Sequence, residues 1–215
     1  MDFLPADISI YSENHTSPES HLLEELNRET HLKVLIPRML SGHLQGRFLS
    51  MLSHMIKPKN ILEIGTYTGY SALCLAEGLL ENGTIDTIDM NEELSPIVEK
   101  YWAKSDYKNQ INFHIGNALD ILPALTKSYD IVFIDADKEN YSTYFDLVFD
   151  KLPIGAHIIA DNVLWSGNVL KDRSQMKEST AGIAAFNEKI QNDDRVENLL
   201  IPIRDGLMVL RKIKD

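Results

Sequence analysis

The chain has 215 residues, 44% of them apolar and 25% charged, and carries a net charge of −11. That length and balance suit one globular domain with a full core. No block of Lys and Arg interrupts the acidic excess, so association through phosphate neutralisation is not expected and nucleic acid is not an expected partner. The single cysteine, Cys74, rules out an internal disulfide and a zinc-binding cysteine cluster. The N-terminus lacks a signal-peptide core and any long apolar span, so a cytoplasmic protein with no membrane partner is expected.

Residues 1–20 are mixed and polar, broken by Pro5 and Pro18. Ser17-Pro18-Glu19-Ser20 predicts a helix start with Ser17 as N-cap and Pro18 at the first helical position, running to about Arg28. A second helix is predicted from Gly42 to Ile56, with Leu44, Phe48, Leu49, Leu52 and Ile56 near helical spacing and Pro58 closing it. From Asn60 the pattern alternates: strands over 60–64, 84–88, 111–115, 130–134 and 156–160, helices over 70–80, 92–104, 118–126 and 138–150. Such alternation implies a largely parallel sheet covered on both faces by helices. Cys74, among Ala72, Leu73 and Leu75, reads as buried filler on the first of these helices. After Asp161 come a long polar connection and a helix near 180–191 carrying Ile183, Phe186 and Ile190. Two last strands, 195–202 and 207–213, joined by Arg204-Asp205-Gly206, predict an antiparallel hairpin. The expected organisation is a single doubly wound α/β domain over 1–215, with 1–57 as an N-terminal helical extension and 58–215 as the core.

Ile61-Leu62-Glu63-Ile64-Gly65-Thr66-Tyr67-Thr68-Gly69-Tyr70-Ser71 reads as strand, glycine turn and helix start. Gly65 and Gly69 are expected to let a ligand approach the backbone. The turn is not G-x-G-x-x-G, since position 67 is tyrosine. Glu63, just before it, would repel a dinucleotide's pyrophosphate and favour a ligand with an ammonium or sulfonium, as S-adenosylmethionine has. Asp89 ends the next strand, 24 residues beyond Gly65, about where an acid accepts the hydroxyls of an adenosine ribose. It could equally cap the helix that follows.

The fully apolar run Ile131-Val132-Phe133-Ile134 ends in Asp135, Asp137 and Lys138. In open α/β sheets ligands bind at the carboxyl ends of strands, although Asp137 could instead cap a helix starting near Lys138. The fifth strand delivers Asp161-Asn162, a ligand pair or a plain turn. Asp135, Asp161 and Asn162 offer only oxygen donors, which suit Mg²⁺, Mn²⁺ or Ca²⁺ rather than zinc or copper. Such a cation would acidify a coordinated hydroxyl and favour the neutral, proton-accepting form of Lys138. Trp165 either walls a substrate pocket or packs in the ordinary way.

With these residues in view, the chain resembles the cation-dependent O-methyltransferases, the group containing catechol and caffeoyl-CoA O-methyltransferases, in their plant and bacterial branch. The match runs from about Leu40 to the C-terminus through LEIGTYTGYSAL, Asp89, GNALD, FIDADKENY, ADNVLW and DDRV…IPIRDGLMVLRK. The resemblance implies a Rossmann-like seven-stranded sheet of order 3-2-1-4-5-7-6 with one antiparallel strand. It implies that S-adenosylmethionine contacts Ser41, Glu63, Gly65, Tyr67, Ser71, Asp89, Ala118 and Asp135. It further implies a divalent cation on Asp135, Asp161 and Asn162, Lys138 as catalytic base, Asp137 on the substrate side, and a homodimer. Ser166 follows Trp165 where the plant enzymes have asparagine, and residues 1–40 show no match to their basic substrate-binding region. The expected substrate is therefore a free catechol-type phenol rather than a coenzyme A ester. The alternatives are a nucleotide-dependent oxidoreductase, against which Glu63 and the missing G-x-G-x-x-G tell, and a non-catalytic S-adenosylmethionine-binding protein.

Overall fold

The computed structural model describes residues 5–215. Among them are seven strands, β1 (Asn60–Ile64), β2 (Thr84–Asp89), β3 (Ile111–Ile115), β4 (Ile131–Ile134), β5 (His157–Asp161), β6 (Val196–Ile201) and β7 (Leu207–Lys212). They form one sheet in the order β3-β2-β1-β4-β5-β7-β6. β2 runs parallel to β1 and β3, and β4 parallel to β5, whereas β7 is antiparallel to both β5 and β6. The helices are α1 (Ala6–Asn14), α2 (His21–Lys33), α3 (Gly42–Ile56), α4 (Tyr70–Ala76), α5 (Ser95–Lys104), α6 (Ala118–Ile121), α7 (Tyr141–Phe149) and α8 (Glu178–Gln191). No helix among the described residues is long and apolar enough to cross a membrane. The packing divides the chain into two compact units, one ending at Ala118 and the other spanning Leu119–Asp215. The N-terminal helices fall in the same unit as β1–β3.

In the first unit, Ile61, Leu62, Ile64, Ile85 and Ile88 are buried, and every residue of α4 is buried with them. Each such aliphatic side chain contributes about 1.5–3 kcal/mol on full burial. α4 ends at Ala76, short of the predicted residue 80, and at Gly78 just beyond it a Cβ would lie 2.2 Å from the Ser53 carbonyl carbon, so backbone meets backbone there. Arg47 of α3 grips Glu77 through two bonds of 2.8 and 2.9 Å, and Ser53 donates to the Leu75 carbonyl at 2.6 Å. α3 has the predicted limits. α2 does not: Ser20, not Ser17, caps it by accepting from the Leu23 N–H at 3.4 Å, and it runs past Arg28 to Lys33. α1 was not expected, and it buries none of its residues, so no apolar period betrays it.

In the second unit β4 is buried at every position, and Tyr141, Tyr144, Phe145, Val148 and Phe149 of α7 are buried too. Phe186 of α8 meets Tyr141 edge-on, with ring centroids 5.6 Å apart. The predicted helices at 92–104 and 138–150 each open with a 3-10 turn, Glu92–Leu94 and Lys138–Asn140, before the α-helix proper. The one predicted at 118–126 is a single α-turn, α6, followed by the 3-10 turn Leu122–Ala124, where Pro123 cannot donate an N–H.

Candidate active site

The first cluster lies at the carboxyl ends of β1 and β2. Gly65 has φ 105° and donates to the Ile88 carbonyl at 2.9 Å, a backbone state that suits glycine. Gly69, at φ 84°, serves a purpose other than ligand approach: a Cβ there would stand 2.5 Å from Trp102 Nε1. The indole fills that space and donates to the Gly69 carbonyl at 3.2 Å. Tyr67 also has positive φ, 51°, and its hydroxyl reaches the Ile36 carbonyl at 2.9 Å. Asp89 accepts the N–H groups of Tyr67 at 2.7 Å and Asn91 at 2.8 Å. It therefore fixes the glycine turn, and the helix-capping alternative falls to Asn91, which accepts from Glu93 N–H at 3.1 Å.

Glu63 is fully buried, opposite Thr87 in the β1–β2 register. Its carboxylate accepts hydrogen bonds from Ser71 Oγ at 2.6 Å and from the Thr87 hydroxyl, which in turn contacts Thr66 Oγ1 at 2.6 Å. Burying a carboxylate is tolerated only when it is so bonded, and each charged hydrogen bond contributes about 1.5–3 kcal/mol. The sequence suggested a carboxylate facing a cationic ligand. The structure surrounds that carboxylate with the hydroxyls of Ser71 and Thr87. Thr87 escaped sequence reasoning, although its register opposite Glu63 was the signal. Ser41, just before α3, and Ala118, opening α6, are both buried.

The second cluster lies at the ends of β4 and β5. Their register pairs Ile134 with Ala160, so Asp135 and Asp161 follow side by side, on strands about 4.8 Å apart. Lys138 is 8% exposed, and its Nζ donates to Asp135 Oδ1 at 2.9 Å and to the Tyr141 hydroxyl at 2.6 Å. The Tyr141 hydroxyl lies 3.0 Å from the Asp161 carbonyl and 3.2 Å from that of Ile134. Burial, then the nearby charges of Asp135, Asp161 and Asp137, push the Tyr141 phenol well above its ordinary range, so it stays a donor. Tyr141 had no assigned role, yet its place three residues after Lys138 puts the two on one helical face. Asp137 takes the N-cap position of the Lys138–Asn140 turn, but its carboxylate makes no cap bond and accepts instead from the Tyr144 and Asn140 side chains.

Asn162 is left-handed at φ 60°, and its N–H donates to Asp161 Oδ1 at 2.7 Å. Trp165 and Ser166 are left-handed as well, at φ 46° and 53°. For non-glycine residues that costs roughly 1–2 kcal/mol each, and it persists only where surrounding bonds enforce it. The Trp165 ring centroid lies 5.8 Å from Lys138 Nζ, bringing the expected wall to the expected base. Among the described residues no three His, Cys, Asp or Glu side chains gather as metal ligands. The set Asp135, Asp161 and Asn162 has two carboxylates and an amide, a hard-oxygen donor set that fits Mg²⁺ with positions left for water or substrate.

Residues 13–213 match a family model described as O-methyltransferase. A caffeoyl-CoA O-methyltransferase of Medicago sativa is 33% identical over 213 residues, covering 94% of this chain and 86% of that one. Another, from Zea mays, is 36% identical over 219 residues, covering 97% and 83%. Among solved structures, an O-methyltransferase from Bacillus cereus in complex with SAH superposes with a TM-score of 0.87 at 30% identity, over 96% of this chain and 97% of that one. TomG of Streptomyces achromogenes, an O-methyltransferase involved in tomaymycin synthesis and solved with SAM, superposes with a TM-score of 0.89 at 27% identity, over 96% of each chain.

Proposed function

Since the chain belongs to the O-methyltransferase family and is an S-adenosylmethionine-dependent O-methyltransferase, we propose that it methylates one hydroxyl of a vicinal dihydroxy aromatic with the help of a divalent cation. The observation that carries this reading is the bonded chain Asp135–Lys138–Tyr141 ending on the Asp161 carbonyl. An amine held this firmly beside two strand-end carboxylates suits proton transfer. The nucleotide-dependent oxidoreductase alternative is not favoured.

In this reading Asp89 holds the ribose of the methyl donor, since a carboxylate has about four lone-pair sites and backbone N–H groups take two. Ser71, backed by Glu63, and Ser41, Gly65, Tyr67, Ala118 and Asp135 complete the donor's contacts. Asp135, Asp161 and Asn162 would hold the cation, Mg²⁺ before Mn²⁺ or Ca²⁺, whose charge would acidify a phenolic hydroxyl. Asp135 and Tyr141 fix Lys138, whose Nζ accepts the hydroxyl proton. The phenol oxygen bonds to the methyl carbon as the donor's sulfur–carbon bond breaks, leaving S-adenosylhomocysteine. Holding the reactants in line supplies on the order of 7–11 kcal/mol at best. Trp165 and Asp137 face the aromatic ring.

The Medicago and Zea relatives are named for caffeoyl-CoA. For this chain we propose a free catechol-type phenol, because Ser166 is shorter than the asparagine of the plant enzymes. Action as one catalytic domain over 1–215, assembly as a homodimer and residence in the cytoplasm belong to the same proposal.

The test mixes protein, S-adenosylmethionine and a catechol panel with Mg²⁺ or with excess chelator, following product by mass. Product that vanishes with chelator and returns with Mg²⁺ is expected, and Lys138→Ala is expected to lose most turnover while binding S-adenosylhomocysteine as before. Product indifferent to chelator would remove the cation from the reading. An Lys138→Ala protein that no longer binds S-adenosylhomocysteine would remove Lys138 as base.

A further inference from the structure

The turn between β6 and β7 reverses the chain. It is closed by its own backbone: Gly206 N–H donates to the Ile203 carbonyl at 2.9 Å, and Ile203 N–H to Ile201 at 2.9 Å. A side-chain carboxylate is not needed for that. The Asp205 carboxylate instead reaches the 162–167 loop, where Oδ1 accepts the Ser166 N–H at 2.5 Å. The Asp205 carbonyl accepts the Leu164 N–H at 2.9 Å, and the Gly206 carbonyl accepts the Val163 N–H at 3.1 Å.

Turn and loop thus lie backbone against backbone. Gly206 has φ 87°, and a Cβ there would come within 2.6 Å of Leu164 Cγ and 3.0 Å of Leu164 N. Only glycine allows that approach. The loop held in this way is the strained one, with Asn162, Trp165 and Ser166 all left-handed. Strained backbone of this kind survives where its neighbours over-determine it, and the clamp supplies that constraint on the residues between Asn162 and Gly167.

We propose that Asp205 is a positioning residue: it holds the 162–167 loop in the conformation that sets Trp165 beside Lys138, and so shapes the wall against which the aromatic substrate lies. The substrate part of this inference rests on the proposed function, whereas the loop part does not. Burial raises the Asp205 carboxyl, opposed first by the Ser166 N–H bond and also by the charge of Lys138, so carboxylate, loop and base share one electrostatic environment.

The test replaces the two tryptophans, Trp102 and Trp165, with 5-fluorotryptophan and assigns the Trp165 resonance by its loss in Trp165→Phe. In Asp205→Ala the Trp165 line is expected to shift or broaden while the Trp102 line stays, which also verifies folding. Asp205→Asn, whose amide oxygen still accepts from Ser166, is expected to restore the parental line. In methyl transfer, Asp205→Ala is expected to raise KM for the phenol about tenfold, the loss of one hydrogen bond to a charged acceptor. The S-adenosylhomocysteine dissociation constant and kcat are expected to change less than about twofold. An unmoved Trp165 line in Asp205→Ala would overturn the proposal, as would equal damage from Asp205→Asn. A shifted line in a protein that methylates no catechol would keep the clamp and set aside the proposed substrate.

Discussion

Tyr141→Phe tests whether the Tyr141 hydroxyl contributes to catalysis. The substitution keeps the ring, and with it the edge-on contact to Phe186 at 5.6 Å and the face that Lys138 Nζ overlies at 4.8 Å. What disappears is the oxygen that accepts from Lys138 at 2.6 Å and donates to the Asp161 carbonyl at 3.0 Å. A hydrogen bond to a charged group is worth about 1.5–3 kcal/mol, and a buried carbonyl left unpaired adds to the loss. A stability decrease of about 2–4 kcal/mol in urea is therefore expected. If the fixed place of Nζ is worth only its hydrogen bond, about 1.5–3 kcal/mol, turnover falls about ten- to a hundredfold, since about 1.4 kcal/mol is tenfold. Methyl transfer at saturating donor and phenol measures kcat, and calorimetric titration with S-adenosylhomocysteine, expected to be unchanged, shows the first cluster intact. A kcat within about twofold of the parent, in a protein destabilised as predicted, would refute the catalytic part and leave Tyr141 a structural residue.

Gly69→Ala is expected to destabilise the fold by about 2–5 kcal/mol, combining overpacking against Trp102 with a left-handed backbone. A urea midpoint equal to the parent's would show that the indole can move aside. Acid sensitivity follows from Glu29 of α2, which hydrogen bonds from Lys100 of α5, then Lys33 and Tyr101, hold at a pKa of about 2. Because that folded value lies below the unfolded one of 4.5, the contribution is complete above pH 4.5 and is lost as pH falls toward 2. Discounted for solvent screening it amounts to about 1 kcal/mol, and Glu29→Gln is expected to flatten the stability profile in that window. An unchanged profile would place the acid sensitivity elsewhere.

Much of this architecture was legible because its signals are local. The apolar run Ile131–Ile134 stops sharply at Asp135, and α3 lies between Gly42 and Lys57, whose left-handed φ of 52° ends it. The order of the strands came from family resemblance, since periodicity does not say which strands are neighbours. What stayed hidden depends on side chains meeting across the fold. Glycine at position 69 looked like space for a ligand, and only the distant Trp102 shows what occupies it. The burial of Glu63 and its bond from the Thr87 hydroxyl on the next strand are likewise invisible along the chain. α1 was missed because a helix that buries nothing leaves no apolar stripe to read. Asp205 was legible as a turn residue, but its reach to Ser166 was not.

The antiparallel β7 also bears on how the second unit is made. β7 lies between β5 and β6, although both precede it in the chain. During synthesis β5 and β6 cannot become hydrogen-bonded members of one sheet until the final strand arrives between them. The loop carrying Asn162 and Trp165 likewise stays unclamped until Asp205 and Gly206 have left the ribosome. Contacts of such long sequence separation form late and slowly, so the nascent chain can complete the glycine turn of the first unit well before the loop of the second is held. A chain cut short just before Leu207 would lose a central strand rather than a trailing end, and with it the order of everything downstream of β5.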